Sequence, residues 1–261
     1  MIPSLLIFEL RQLLRRLALV AVFALLLGVA AVWLYTPERQ ADLRLLLEEL
    51  PQVTRLLGYA GSANLPVHVM GVLYGLMMPV LLVISPLTLA LRLIAWPIDD
   101  ARMAQRLAAP HRRSAVLFTF FWLLALEGLV MVTSAALGQV AGAFIFLGGQ
   151  ADFPALARLA LGAWLSALPM AGLMVWLSAA ADFPSRARRL GLFLGFVLVG
   201  LLMASRLSGW AQYLRFATPF SLMKGQELLT GASRLLLAAL GMALGLALAG
   251  LGALAFSKRD L

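Results

Sequence analysis

Long apolar runs separated by short, arginine-bearing polar stretches dominate the chain. Six runs reach the length of about 20 residues that a helix needs to cross a bilayer: about 17–35, 68–91, 115–138, 159–181, 190–207 and 235–256. The fifth is short, and Val140 to Leu147 either prolongs the third span or dips back into the membrane. Ahead of the first run, Leu6, Leu10, Leu13, Leu14 and Leu17 fall on one helical face, while Arg11, Gln12, Arg15 and Arg16 fall away from it. Residues 1–16 are therefore expected to form an amphipathic helix lying along the headgroups, because three arginines are costly in hydrocarbon. Residues 17–261 form the six-span domain.

The segments between spans carry patterns of their own. Leu43, Leu46, Leu47 and Leu50 recur at i, i+3, i+4 and i+7 between Pro37 and Pro51, which predicts an amphipathic helix in the first loop. After the second run, Pro97 suits the first position of a helix, Asp99 and Asp100 suit its first turn, Arg106 its last, and Pro110 stops it. A short, self-contained helix over about 97–109 is expected, with Ile98, Met103 and Leu107 as apolar contacts among Asp99, Asp100, Arg102 and Arg106. Such a helix is well made to press on a partner outside the membrane. Asp152-Phe153-Pro154 and Asp182-Phe183-Pro184 each precede a span, and both read as an Asp cap with an early Pro. Thr218-Pro219-Phe220-Ser221, between Arg215 and Lys224, fits two short helices dipping into the outer leaflet, where the cations meet a substrate, a lipid headgroup or only the interface.

Composition sharpens this picture. Of 261 residues, 62% are hydrophobic and 13% charged, against about 45–50% and about 25% in an ordinary soluble domain. The fold class is therefore an all-α integral membrane protein of six transmembrane helices. The net charge of +9 fits the rule that excess arginine marks cytoplasmic loops better than it fits nucleic-acid binding. Arg11, Arg15 and Arg16, Arg92 to Arg113, Arg186 to Arg189 and the Lys258–Arg259 tail hold most of that excess, so both termini are placed in the cytoplasm. The first apolar run is too long for the core of a cleavable signal peptide.

Candidate chemistry is sparse. There is no cysteine and there are two histidines, His68 and His111, expected on opposite sides of the membrane, so no metal site and no cofactor is expected. The phosphate-binding G-x-x-x-x-G-K-[ST] loop is absent, and Lys224 and Lys258 are the only lysines. The chain is therefore not expected to hydrolyse ATP or to be an enzyme. Glu127 is the one ionisable residue in mid-span, which makes it a candidate pathway or gating residue or else a satisfied structural acid. Gly241-x-x-x-Gly245 permits close helix packing.

The order of these features resembles the type-2 ABC exporter permeases over nearly the whole chain. Asp99 falls at the first acidic position of that family's cytoplasmic motif, and Leu107-Ala108-Ala109-Pro110-His111-Arg112-Arg113 is similar to its L-A-x-P-x-x-R ending. Thr218-Pro219-Phe220 and the closing Phe256-Ser257-Lys258-Arg259-Asp260-Leu261 are similar to its s-P-F turn and F-x-R-R-D-L close. Ala101 and Arg102 stand where the family usually has Gly-Thr, and Ala104 where it has a second Glu. The resemblance implies a permease of a bacterial or archaeal cell membrane, paired with a second permease chain as a homodimer or heterodimer. Cytoplasmic ATP-binding-cassette ATPases would grip the 97–109 coupling helix through Ile98, Asp99, Asp100, Arg102, Met103, Arg106 and Leu107. The competing readings are an integral-membrane lipid-modifying enzyme that uses Glu127 with Asp99 or Asp100, and a non-transporting assembly or scaffold subunit.

Overall fold

The computed structural model describes residues 2–36, 64–100, 112–207, 209–223 and 234–257, with Arg39, Leu45, Glu49, Leu50, Gln52, Leu56, Arg102 and Met103 as isolated positions. Among these there is no strand. Six helices are long and apolar enough to cross a membrane. They are α1 (Pro3–Trp33), α2 (Leu65–Asp99), α3 (Arg113–Leu147), α4 (Phe153–Ala180), α5 (Pro184–Ala204) and α6 (Arg234–Ser257). The architecture is that of a multi-pass helical membrane protein. Most of the amphipathic segment expected in the first loop lies outside the described residues.

Several boundaries differ from expectation, each for a physical reason. No break separates residues 1–16 from the first span: α1 is one helix of 31 residues, opened by Pro3 in its first turn. The expected break rested on the cost of arginine in hydrocarbon, and Arg16 avoids that cost by finding an acid inside the bundle, while Arg11 and Arg15 remain exposed. Residues 140–147 continue α3 to a left-handed Gly148 (φ 58°), whose lack of a Cβ lets the chain reverse there. Asp152 caps α4 by accepting from the Ala155 N–H at 2.9 Å, as the sequence predicts. Asp182 does not cap α5; it lies one residue too early and pairs instead with Arg186 at 2.8 Å. The two short helices of the fifth loop are 3-10 turns, Gly209–Ala217 and Pro219–Met223, and the second buries Phe220.

Side-chain and glycine contacts fix the direction of every span. On α1 and α3, Ile2 meets Thr119, Arg16 meets Glu127 and Gly28 meets Ala135, so these two helices run parallel. On α2 the order is reversed, since His68 reaches Ala31 while Ser85 reaches Arg16. Gly128 of α3 faces Ala167 and Phe144 stacks on Phe153, so α4 is antiparallel to α3. Gly191 and Gly195 of α5 pack on Leu87 and Val83, antiparallel to α2. Gly241, Gly245 and Gly252 of α6 pack on Leu165, Leu168 and Trp176, parallel to α4. The spans thus alternate up and down, and Ile2, Asp99, Arg113, Pro184 and Ser257 share one end of the bundle. The Gly241-x-x-x-Gly245 pair is occupied within the chain, against α4.

The second span is the irregular one. Two wide turns interrupt it, over Leu73–Met77 and Leu91–Ala95, closed by i→i+5 bonds from the Met78 N–H to the Leu73 carbonyl and from the Trp96 N–H to the Leu91 carbonyl. Each is followed, two residues on, by a proline: Pro79 and Pro97. A proline ring collides with the carbonyl four residues back and gives it no hydrogen bond. The extra residue in the preceding turn moves that carbonyl aside, so the helix passes both prolines without ending.

Candidate functional site

Glu127 lies 14 residues into α3, Arg16 lies 13 residues into α1, and Ser85 lies 14 residues before the end of α2. At about 1.5 Å per residue each is about 20 Å from the same end of the bundle, which is mid-depth in a hydrocarbon core about 30 Å thick flanked by headgroups. The three meet there. Arg16 Nε donates to Glu127 Oε1 at 2.7 Å, and Arg16 Nη2 donates to the Ser85 carbonyl at 2.8 Å and to Thr88 Oγ1 at 2.6 Å. Ser85 Oγ donates to the same Glu127 oxygen at 3.0 Å. One guanidinium thereby ties three spans together at a single level. The Glu127 side chain is 1% exposed and that of Arg16 22%. Glu127 Oε2 is buried with no hydrogen-bond partner among the described residues.

A polar seam continues from this clasp toward the far end. Gln139 Nε2 of α3 donates to the Tyr74 hydroxyl of α2 at 3.0 Å, and the His68 ring contacts the Ala31 carbonyl at 3.2 Å and the edge of Tyr35. Beyond α5, Arg206 reaches back to the first wide turn: Nη2 donates to the Gly75 carbonyl at 2.7 Å and Nη1 to the Leu56 carbonyl at 2.7 Å. Gly75 is the residue four before Pro79, so Arg206 supplies the hydrogen bond that proline withholds. Burial pulls the Arg206 guanidinium below the usual arginine range.

The expected coupling segment divides. Trp96–Asp99 is the tail of α2 rather than the start of a separate helix, and Asp100 forms the turn after it. Asp99 and Asp100 are exposed, Ile98 is half-buried, and Arg102 pairs with Asp100. Met103 is fully buried in the chain's own core, so it is not a surface contact for a partner. Arg106 and Leu107 lie outside the described residues, as do His111, Lys224 and Glu227. Asp99 and Glu127 do not share a site: Asp99 is 14 residues along α2 from Ser85, about 21 Å. No cluster of metal-ligating side chains occurs among the described residues.

The sequence pointed to Glu127 but not to its partners. The missed signal was depth: a mid-span acid needs a cation at its own level, and Arg16 is the basic residue farthest into α1. No family model and no curated protein matches the chain. The functional reading therefore rests on the geometry and on the sequence features already described.

Proposed function

We propose that the chain is the permease subunit of an ATP-binding-cassette exporter in a bacterial or archaeal inner membrane, paired with a second permease chain and driven by separate cytoplasmic ATPases. The observation that carries this reading is the second span. It is one helix whose exposed tip at Asp99 lies at the arginine-rich end of the bundle, and whose middle is bonded through Ser85 and Thr88 to α1 and α3. A push on the tip passes along this helix, through the wide turn at Leu91–Ala95, toward the clasp in mid-membrane. For ATP to drive transport, the ATPases must bind one arrangement of that helix more tightly than the other. Ile98, Asp99, Asp100 and Arg102 are the described residues available to make this differential contact. The arginine excess at that end supports a cytoplasmic orientation for it.

Cysteine mapping tests the orientation directly, since the chain has no cysteine of its own. Asp99→Cys is expected to react with a membrane-impermeant maleimide in inside-out vesicles and to stay unlabelled in intact cells. An ATPase subunit is expected to co-purify with the chain, and its coupled turnover to fall when Asp99, Arg102 and Arg106 are replaced together. Labelling of residue 99 from outside the cell removes the proposal, because no cytoplasmic ATPase then meets the tip.

A further inference from the structure

The end of the bundle that carries Asp99 also holds a cleft of about 750 Å³, lined by Phe8, Glu9 and Gln12 of α1 and by Arg92, Leu93, Trp96, Pro97 and Arg102 on or just after α2. It lies beside the second wide turn, Leu91–Ala95, and Pro97. Its lining is mixed in a specific way. Arg92 is exposed and has no acidic partner among the described residues, Arg102 is held at the rim by Asp100, and Gln12 adds an amide. Glu9 also lines the cleft, is 2% exposed and has an interaction of its own. Phe8 and Trp96 are 57% and 50% exposed, and Ile7 and Leu14 are exposed on the neighbouring face of α1.

Depth decides what such a cleft meets. The 31 residues of α1 span about 46 Å, some 16 Å more than the hydrocarbon core. With the excess shared between the two ends, Phe8 to Gln12 stand where headgroups give way to acyl chains. Tryptophan concentrates at that level, and basic pockets between spans bind anionic headgroups. A soluble partner would meet this apolar α1 face only by displacing lipid.

We propose that the cleft is a binding site for an anionic phospholipid of the adjoining leaflet, with Arg92 as the cation that selects it and Trp96 and Phe8 packed against the bound lipid. The proposal goes beyond transport and needs no ATPase, so it stands or falls independently of the permease reading.

The full-length chain, purified into mixed micelles, is titrated with brominated phosphatidylglycerol or brominated phosphatidylcholine. Tryptophan quenching is followed, and the Trp96→Phe variant gives the share due to Trp96. Quenching of Trp96 is expected at lower mole fractions of phosphatidylglycerol than of phosphatidylcholine. Arg92→Gln is expected to weaken the phosphatidylglycerol response about fivefold, the effect of one interfacial cation. Arg188→Gln with Arg189→Gln removes two exposed charges from the same end of the bundle, away from the cleft, and is expected to leave the response unchanged. Equal quenching of Trp96 by both lipids overturns the site. So does an equal loss in the Arg188/Arg189 variant, which would reduce the effect to general charge attraction. Displacement of the lipid by millimolar inorganic phosphate also overturns it, assigning the cleft to a soluble anion.

Discussion

Two parts of this bundle are held together by opposite means. Where α1 meets α3, and where α4 meets α6, glycines let backbone lie on backbone. A Cβ on Gly28 would land on the Ala135 carbonyl oxygen and one on Gly138 on the Leu25 carbonyl oxygen, while one on Gly245 would stand 2.8 Å from the Leu168 carbonyl oxygen. Such contacts have one register, and no side chain can rearrange to offer a second. The second span is tied to α1 and α3 by Arg16 in mid-membrane and to the segment after α5 by Arg206 at the far end, and the glycines of α5 that face it, Gly191 and Gly195, meet the side chains of Leu87 and Val83 rather than its backbone. Its own backbone is loosened by two wide turns and three interior prolines, Pro79, Pro86 and Pro97. Bonds from a guanidinium fork can be broken and remade one helical step away; a glycine seam can only open. The helix pairs α1–α3 and α4–α6 are thus the fixed frame, and α2 is the element the fold leaves adjustable.

The largest effect is expected at the clasp. Arg16→Met leaves the buried Glu127 carboxylate without its cation, and removing one member of a buried pair costs about 3–5 kcal/mol. The double variant Arg16→Met with Glu127→Met removes both charges and is expected to recover most of that loss. Thermal unfolding midpoints of the purified variants, read as a double-mutant cycle, check it. Purely additive losses would show that the 2.7 Å contact does not hold α1 to α3.

Next in size is the frame. Gly28→Ala puts a methyl group onto a backbone oxygen that cannot turn away, so destabilisation of about 3 kcal/mol is expected, at the top of the overpacking range. Gly200→Ala and Gly250→Ala meet nothing within 4 Å. They are expected to be neutral, or to stabilise by up to about 1 kcal/mol through helix propensity. The same unfolding assay compares the three. Equal effects at Gly28 and Gly200 would contradict the seam.

How much of this was legible in advance follows from what each feature depends on. The six spans were readable because hydropathy is a property of each run by itself. Asp152 is readable as a cap because capping is local; Asp182, in the same tripeptide, is not, because α5 begins one residue later and leaves it outside the cap position, where it pairs with Arg186. Gly241 and Gly245 announced close packing without naming α4 as the surface. Glu127 stood out as a charge where charge is costly, but its partner lies 111 residues away in sequence, and the run Arg15-Arg16 looked like a headgroup anchor. The wide turns left one trace, the prolines at 79 and 97. The first is submerged in an apolar run, and the second has the local pattern of a helix start. Met103, among charged neighbours, has the local pattern of a surface contact, whereas tertiary packing buries it.

A smaller effect is expected where Arg206 holds the first wide turn. Arg206→Ala deprives the Gly75 and Leu56 carbonyls of a charged donor, and a loss of about 1–3 kcal/mol follows if they stay unsatisfied. Arg206→Lys keeps the charge but not the fork, so it is expected to restore only part of the stability, since one ammonium does not reproduce two guanidinium arms reaching separate carbonyls. Full rescue by lysine would show that the charge alone matters there.

The finest test asks whether Arg206 really substitutes for the N–H that Pro79 lacks. Pro79→Ala returns a backbone donor four residues after Gly75, where an ordinary helix would use it. Alone, the change is expected to move stability by less than about 1 kcal/mol, because Gly75 already has a donor in Arg206 and carbonyl oxygens accept two bonds. Against Arg206→Ala the same change is expected to help, because the new N–H satisfies the carbonyl that the arginine has left. A double-mutant cycle over Pro79→Ala and Arg206→Ala should therefore show a coupling of about 1 kcal/mol, with the proline variant reducing the cost of losing the arginine. If the two effects simply add, the bond to Gly75 O is incidental and Arg206 acts through Leu56. If they couple, the adjustable character of the second span has a specific origin: a backbone bond has been moved onto a side chain, where a change elsewhere in the molecule can release it.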